Sequence, residues 1–182
     1  MKRALIVLIT RLGPLAFKAA ERSRFVRDRM LRPLTMRFVR DAVAAWRHGG
    51  TAAWNDFHLP AVRAAGAGRA SYFLRKLAID PSSARSLGAV HDYEDPLLGI
   101  EGTWAEEGRE RAVRHETVCP IGDYLRDRTC PDFCRVLVHA FEEATLRAMN
   151  PRYELEPLGE LISGGEKKCV FVHRVKGEGV KG

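Results

Sequence analysis

The stretch Leu98–Cys119, LGIEGTWAEEGRERAVRHETVC, decides the fold. Its residues alternate in character with a period of two on either side of Glu106-Glu107-Gly108, the pattern of two antiparallel strands, Leu98–Ala105 and Arg109–Cys119, joined by a short turn. Downstream the period changes to that of a helix. Phe133, Leu137, Phe141, Ala144, Leu146 and Met149 fall on one side of a helix over Cys130–Met149 that Asn150-Pro151 closes. Two more strands, Tyr153–Ile162 and Lys168–Val175, flank the turn residues Ser163-Gly164-Gly165. The order strand-strand-helix-strand-strand predicts an α+β unit in which a helix covers one face of a four-stranded antiparallel sheet.

Upstream the spacing is helical. From Lys2 to about His48, Leu5, Leu8, Leu12 and Leu15, then Phe25, Val26, Met30, Leu34, Phe38, Val39, Val43 and Trp46 recur at helical intervals. Gly13-Pro14 and Arg32-Pro33 are expected to break this run, because proline lacks the N–H a helix needs. Gly49-Gly50 ends it, and further helices are expected over Thr51–Ala65 and Ser71–Ala78. The segment from Asp80-Pro81-Ser82-Ser83 to Pro96 has turn chemistry and no clear period, so it reads as a connection. The expected organisation is a basic helical region over 1–79, a connection over 80–96, the α+β unit over 97–176 and a frayed tail over 177–182, within one domain.

The 182 residues carry a net charge of +7, unevenly distributed. Residues 1–76 hold 16 basic and 4 acidic side chains, a balance of +12, and the remainder is −5. A basic segment suits a phosphate-bearing partner, a solvated face, or contact with the acidic body. No helix-turn-helix or zinc-finger spacing and no aromatic stacking platform accompanies the arginines, which speaks against nucleic acid and leaves peripheral contact with an anionic membrane as the alternative. The apolar run Ala4–Ile9 is stopped by Arg11 without a cleavage site, so a cytoplasmic protein is expected.

Cys119, Cys130, Cys134 and Cys169 carry the chemistry most open to interpretation. Cys130 and Cys134 stand one helical turn apart, while Cys119 and Cys169 come from two strands. Convergence of the four would make a zinc or iron–sulfur site, although C-x10-C-x3-C-x34-C is no standard signature. Buried core thiols and a reactive thiol are the other readings. For catalysis the candidates are Cys119, Cys169 and His115. His58 and His91 stand alone and read as surface or core residues, and His115-Glu116 point to opposite faces of their strand.

Val118-Cys119-Pro120, Cys130-x3-Cys134 opening a helix, Met149-Asn150-Pro151 and Leu161-x2-Gly164-Gly165-x3-Cys169-Val170-Phe171 together resemble the C-terminal part of the L-2-amino-thiazoline-4-carboxylic acid hydrolases. The closing hairpin is also similar to that of the small 4-vinyl reductase domains, which are ligand-binding or sensor modules. The resemblance implies cysteines lining a functional pocket and hydrolytic opening of a C–N or C–S bond in a small heterocyclic or amide-like substrate. Against the commoner pattern, Gly165-Glu166 stands where Gly-Asp is expected, and Cys169-Val170-Phe171 where Cys-Asp-Phe is frequent. The expectations are therefore a hydrolase-like enzyme, a thiolate-ligated metal or small-ligand sensor module, or a membrane- or partner-docking protein.

Overall fold

The computed structural model describes residues 15–128, 130–156 and 159–176. Its sheet is the expected four-stranded antiparallel one, with β1 (Glu101–Glu107), β2 (Arg111–Val118), β3 (Tyr153–Leu155) and β4 (Cys169–Val175) in the order β1-β2-β4-β3. The register Ala112↔His173, Arg114↔Phe171, Glu116↔Cys169 and Leu155↔His173 puts those residues on one face. That face is covered by helices, and polar side chains at Arg114, Glu116 and His173 are therefore buried with it.

Helices precede the sheet: α1 (15–22), α2 (Arg24–Val26), α3 (Arg32–Ala53), α4 (Leu59–Gly68), α5 (Ala70–Leu77), α6 (Ala84–Leu87) and α7 (Ala89–Leu98). Pro33 does not break the chain as expected. It follows a π-turn over Arg27–Leu31, and Pro60 follows another over Trp54–His58. Each proline leaves the carbonyl four residues back, on Arg29 or Asp56, without its usual N–H, and the widened turn absorbs the ring at that point. Gly50, at φ +67°, supplies the expected break within α3. The break expected at Gly13-Pro14 and the tail over 177–182 lie outside the described residues.

The segment 80–96 is not a connection. Ser83 caps α6 through the Ser86 N–H, and α6 and α7 bury Ala84, Leu87 and Val90 in the main core. Helical periodicity is hidden there because His91, Glu94 and Asp95, polar residues, occupy inward positions of α7.

Beyond β2 the chain differs from expectation in three places. Pro120 opens an extra helix, α8 (Pro120–Asp127), for which Cys119 is the N-cap. The single helix expected over Cys130–Met149 is α9 (Pro131–Cys134), a π-turn over Arg135–His139, and α10 (Ala140–Met149). β3 stops at Leu155, and Leu161 leads instead into a short 3₁₀ turn, Ile162–Gly164, that packs against α8. One core joins the two halves: Trp54 from the helical region meets Phe133 edge-on at 5.0 Å, and Trp46 lies 5.4 Å from the same ring.

Candidate functional site

Two groups of chemistry-bearing side chains lie in this core. The expected one, the cysteines, is buried throughout. The Cys119 Sγ accepts the Gly122 N–H at 3.3 Å as the cap of α8, and the Cys169 Sγ accepts the Ile162 N–H at 3.3 Å. Cys134 accepts a hydrogen bond from Ser163. Cys134 and Cys169 add to the upward shift of Cys119, and Cys169 to that of Cys134, yet no set of three metal-ligand atoms that includes a thiol falls within 4.8 Å among the described residues. Cys130 turns elsewhere, accepting from the Arg47 Nε at 3.2 Å and facing the Arg128 carbonyl at 3.4 Å. Burial, reinforced by the Glu116 charge, holds Cys119 well above the ordinary thiol range, and burial drives Cys134 up to about 12 and Cys169 up to about 11. Thiols so placed are protonated at neutral pH and poor nucleophiles.

His115 does not join them. It pairs with Val170 on the outward face of the sheet, half-buried, while Cys169 pairs with Glu116 on the inward face. At the end of β2 the chain turns inward so that Cys119 caps α8, which separates it from His115.

The second group was not anticipated. Gly88 admits the Trp104 ring against the start of α7, where a Cβ would collide with it, and the Trp104 Nε1 donates to Asp92 at 2.8 Å. This fixes α7 across the inner face of β1 and β2. His91 and Asp95, one turn apart on α7, then face Glu116 on β2. The His91 Nδ1 lies 3.7 Å from Asp95 Oδ1 and 3.8 Å from Glu116 Oε1, and all three donor atoms fall within 4.8 Å of one another. Each residue is at least 96% buried. The two separations from His91 are ion-pair distances, longer than a hydrogen bond, and the three donors are near enough to one another for a single divalent cation to reach all of them.

Arg114 fixes this arrangement. Its Nε and Nη2 donate to Asp95 Oδ2 at 3.0 and 2.7 Å, leaving Oδ1 to face His91, and its Nη1 reaches Asp92 at 3.2 Å. A guanidinium that holds the far oxygen of a carboxylate is the outer-shell support that ligating carboxylates generally have. Burial disfavours charge on His91, but Asp95, Glu142 and Glu116 outweigh it and raise the imidazole to about 9; burial and the Asp95 charge push Glu116 up. Behind His91, at 5.1 Å between ring centroids, His173 is kept neutral by burial and bonds the Tyr153 hydroxyl at 2.7 Å through Nδ1. The Nε2 atoms of both histidines are buried and lack hydrogen-bond partners among the described residues.

A second buried network adjoins the site, close enough for Glu142 to act on both His91 and Glu116. Arg69 binds both oxygens of Glu94, one at 2.6 Å, together with Glu142 and Thr145, each at 2.8 Å. A surface cavity of about 430 Å³ is bordered by Arg32, Asp92, Gly99, Glu101, Gly102 and Arg114, so the guanidinium that holds Asp95 lines its wall, while His91, Asp95 and Glu116 lie behind it. A Cβ on Gly102 would collide with the His115 carbonyl oxygen of β2 at 2.6 Å and come within 3.1 Å of the Arg114 guanidinium, so the glycine permits the close approach of the two strands there.

From the sequence, His91 was read as isolated, and Glu116 was set aside because it alternates with His115. The usable signal was helical spacing within a segment taken for a loop: His91 and Asp95 stand four apart, and Arg114 and Glu116 share one strand face. Compared with protein-family models, with curated proteins and with solved structures, the chain matches none.

Proposed function

We propose that the protein is a metal-dependent enzyme of the hydrolase type, with a divalent cation bound by His91, Asp95 and Glu116. The observation that carries this reading is the spacing of three buried donors, too wide for hydrogen bonds and suited to a shared cation. One imidazole nitrogen and two carboxylate oxygens suit zinc, manganese or ferrous iron. Such a cation polarises a carbonyl or amidine group and activates water at neutral pH. Arg114 orients Asp95 for this task, and the Tyr153–His173 pair walls the site with a neutral ring. The cavity beside Arg114 and Arg32 offers a small anionic substrate two guanidinium groups next to the residue that holds Asp95. A C–N or C–S bond as the target is supported by the resemblance of Val118–Val172 to the aminothiazoline carboxylate hydrolases. Water activation at the triad replaces a cysteine nucleophile, since the raised thiol pKa values weigh against attack by Cys119 or Cys169.

The test is hydrolysis of 2-aminothiazoline-4-carboxylate and of simple amides by chelator-stripped protein, before and after zinc or manganese is restored. Activity that returns with the cation, falls ~100-fold or more in His91→Ala and Glu116→Gln, and survives in Cys169→Ser is expected. Activity indifferent to chelation but lost in Cys169→Ser overturns the reading in favour of a thiol nucleophile.

A further inference from the structure

Large apolar side chains also lie exposed along α2 and α3. Phe25 is 70% exposed, Met30 50% and Leu34 57%, whereas the opposite side of the same run buries Leu31, Val39, Ala42 and Val43 in the two cores. The helix therefore has two apolar stripes, and packing within the chain accounts for only one of them. Phe25, Met30 and Leu34 are spaced five and four residues apart, and in an unbroken α-helix a five-residue step turns a side chain roughly 140° away from its predecessor. The π-turn over Arg27–Leu31 takes up the extra residue, so the five-residue step acts like a four-residue one and the three side chains come onto one side.

Arginines accompany them. Arg22, Arg29 and Arg37 are exposed, and Arg29 and Arg37 have no acidic partner among the described residues. Of the acids nearby, Asp28 is committed to Arg24, Arg27 and Arg32, and Glu21 to Lys76 at 2.9 Å, while Asp41, exposed one turn beyond Arg37, is the acid that remains on this face.

We infer that this face docks on an anionic lipid bilayer. Phe25, Met30 and Leu34 enter the headgroup–acyl boundary, while Arg22, Arg29 and Arg37 reach lipid phosphates on extended stems. Like charge opposes pairing of this face with a second copy of itself. Nucleic acid would satisfy the arginines but leave Met30 and Leu34 in water. The contact is independent of the cation site, so either proposal can fail alone.

The test is co-sedimentation of the full chain with neutral phosphatidylcholine vesicles and with vesicles containing about 30% phosphatidylglycerol, at low and high salt. Binding to the anionic vesicles only, weakened by salt, is expected. Arg29→Glu with Arg37→Glu should reduce affinity at least ~20-fold, since each arginine near such a surface accounts for about a fivefold factor, and Arg29→Lys with Arg37→Lys should retain it. Phe25→Ser with Leu34→Ser should weaken binding at low salt without lowering the melting temperature. Equal binding to neutral vesicles, no binding to anionic ones, or unaltered binding by the folded variants overturns the proposal. Retention on a polyglutamate column without vesicle binding also overturns it and points to an acidic protein partner.

Discussion

Each buried thiol in this protein has a structural task, and reactivity follows from that. Cys119 caps α8 and Cys169 holds the Ile162 N–H. With Cys169 at about 11 and Cys134 at about 12, roughly one thiol in a thousand or fewer is ionised at pH 8. Alkylation of the native chain should therefore run at least ~100-fold slower than in guanidinium, where all four thiols react; a single fast native thiol would reinstate a cysteine nucleophile. A raised folded-state pKa adds stability below the unfolded value, near 9, that is lost as pH rises through the folded value. Unfolding by denaturant should accordingly become easier from about pH 9 upward. Arg69 is the opposite case, a buried cation whose partners depend on it. Arg69→Met strands Glu94 and Glu142 and should cost about 3–5 kcal/mol in urea unfolding, part of it recovered in Arg69→Met with Glu94→Gln; a cost under ~1 kcal/mol would mean that water reaches the pair. Buried core thiols were one of the readings open from residue types, but which N–H each thiol holds and the Arg69 network were not legible there. Cysteines draw attention because they are few, whereas His91, Asp95, Arg114 and Glu116 become a site only once α7 is laid across β2.

Elements were read well where a single period dominates and poorly where polar residues face inward. The β1–β2 hairpin and the four-stranded sheet follow from alternation, and their bounds differ from expectation by a few residues. α7 escaped notice because the inward positions that would show its period carry His91, Glu94 and Asp95. α8 escaped because β2 was extended to the cysteine that in fact caps the next helix. The break expected at Arg32-Pro33 is missing for a physical reason: the π-turn ahead of Pro33 carries the helix through, as another does ahead of Pro60. Where α4 crosses α10, Gly66 permits the approach, and a Cβ there would collide with the Phe141 carbonyl oxygen and come within 3.2 Å of Thr145 Oγ1. Gly→Ala within a helix is ordinarily worth about 0.5–1 kcal/mol of stability. Here the overlap is with backbone, so Gly66→Ala should instead destabilise by about 1–3 kcal/mol, measured by thermal or urea unfolding. A stabilised variant would show that the crossing is looser than the structure has it.

At the scale of the molecule, the helical half and the sheet share one core, with the polar triad at their junction and the basic face of α2 and α3 outside it. The +12 balance of residues 1–76 was legible at once, but its division into a packed side and an exposed Phe25–Met30–Leu34 side depends on where the chain folds back. Among the described residues no helix is long and apolar enough to cross a membrane. The central claim is the cation site. Its most direct test is calorimetric titration of the chelator-stripped chain with zinc and manganese ions, alongside Glu116→Gln. One cation bound per chain, with affinity reduced ~100-fold or more in the variant, is the predicted result. No binding, or binding that survives Glu116→Gln and disappears when the cysteines are replaced, would contradict it.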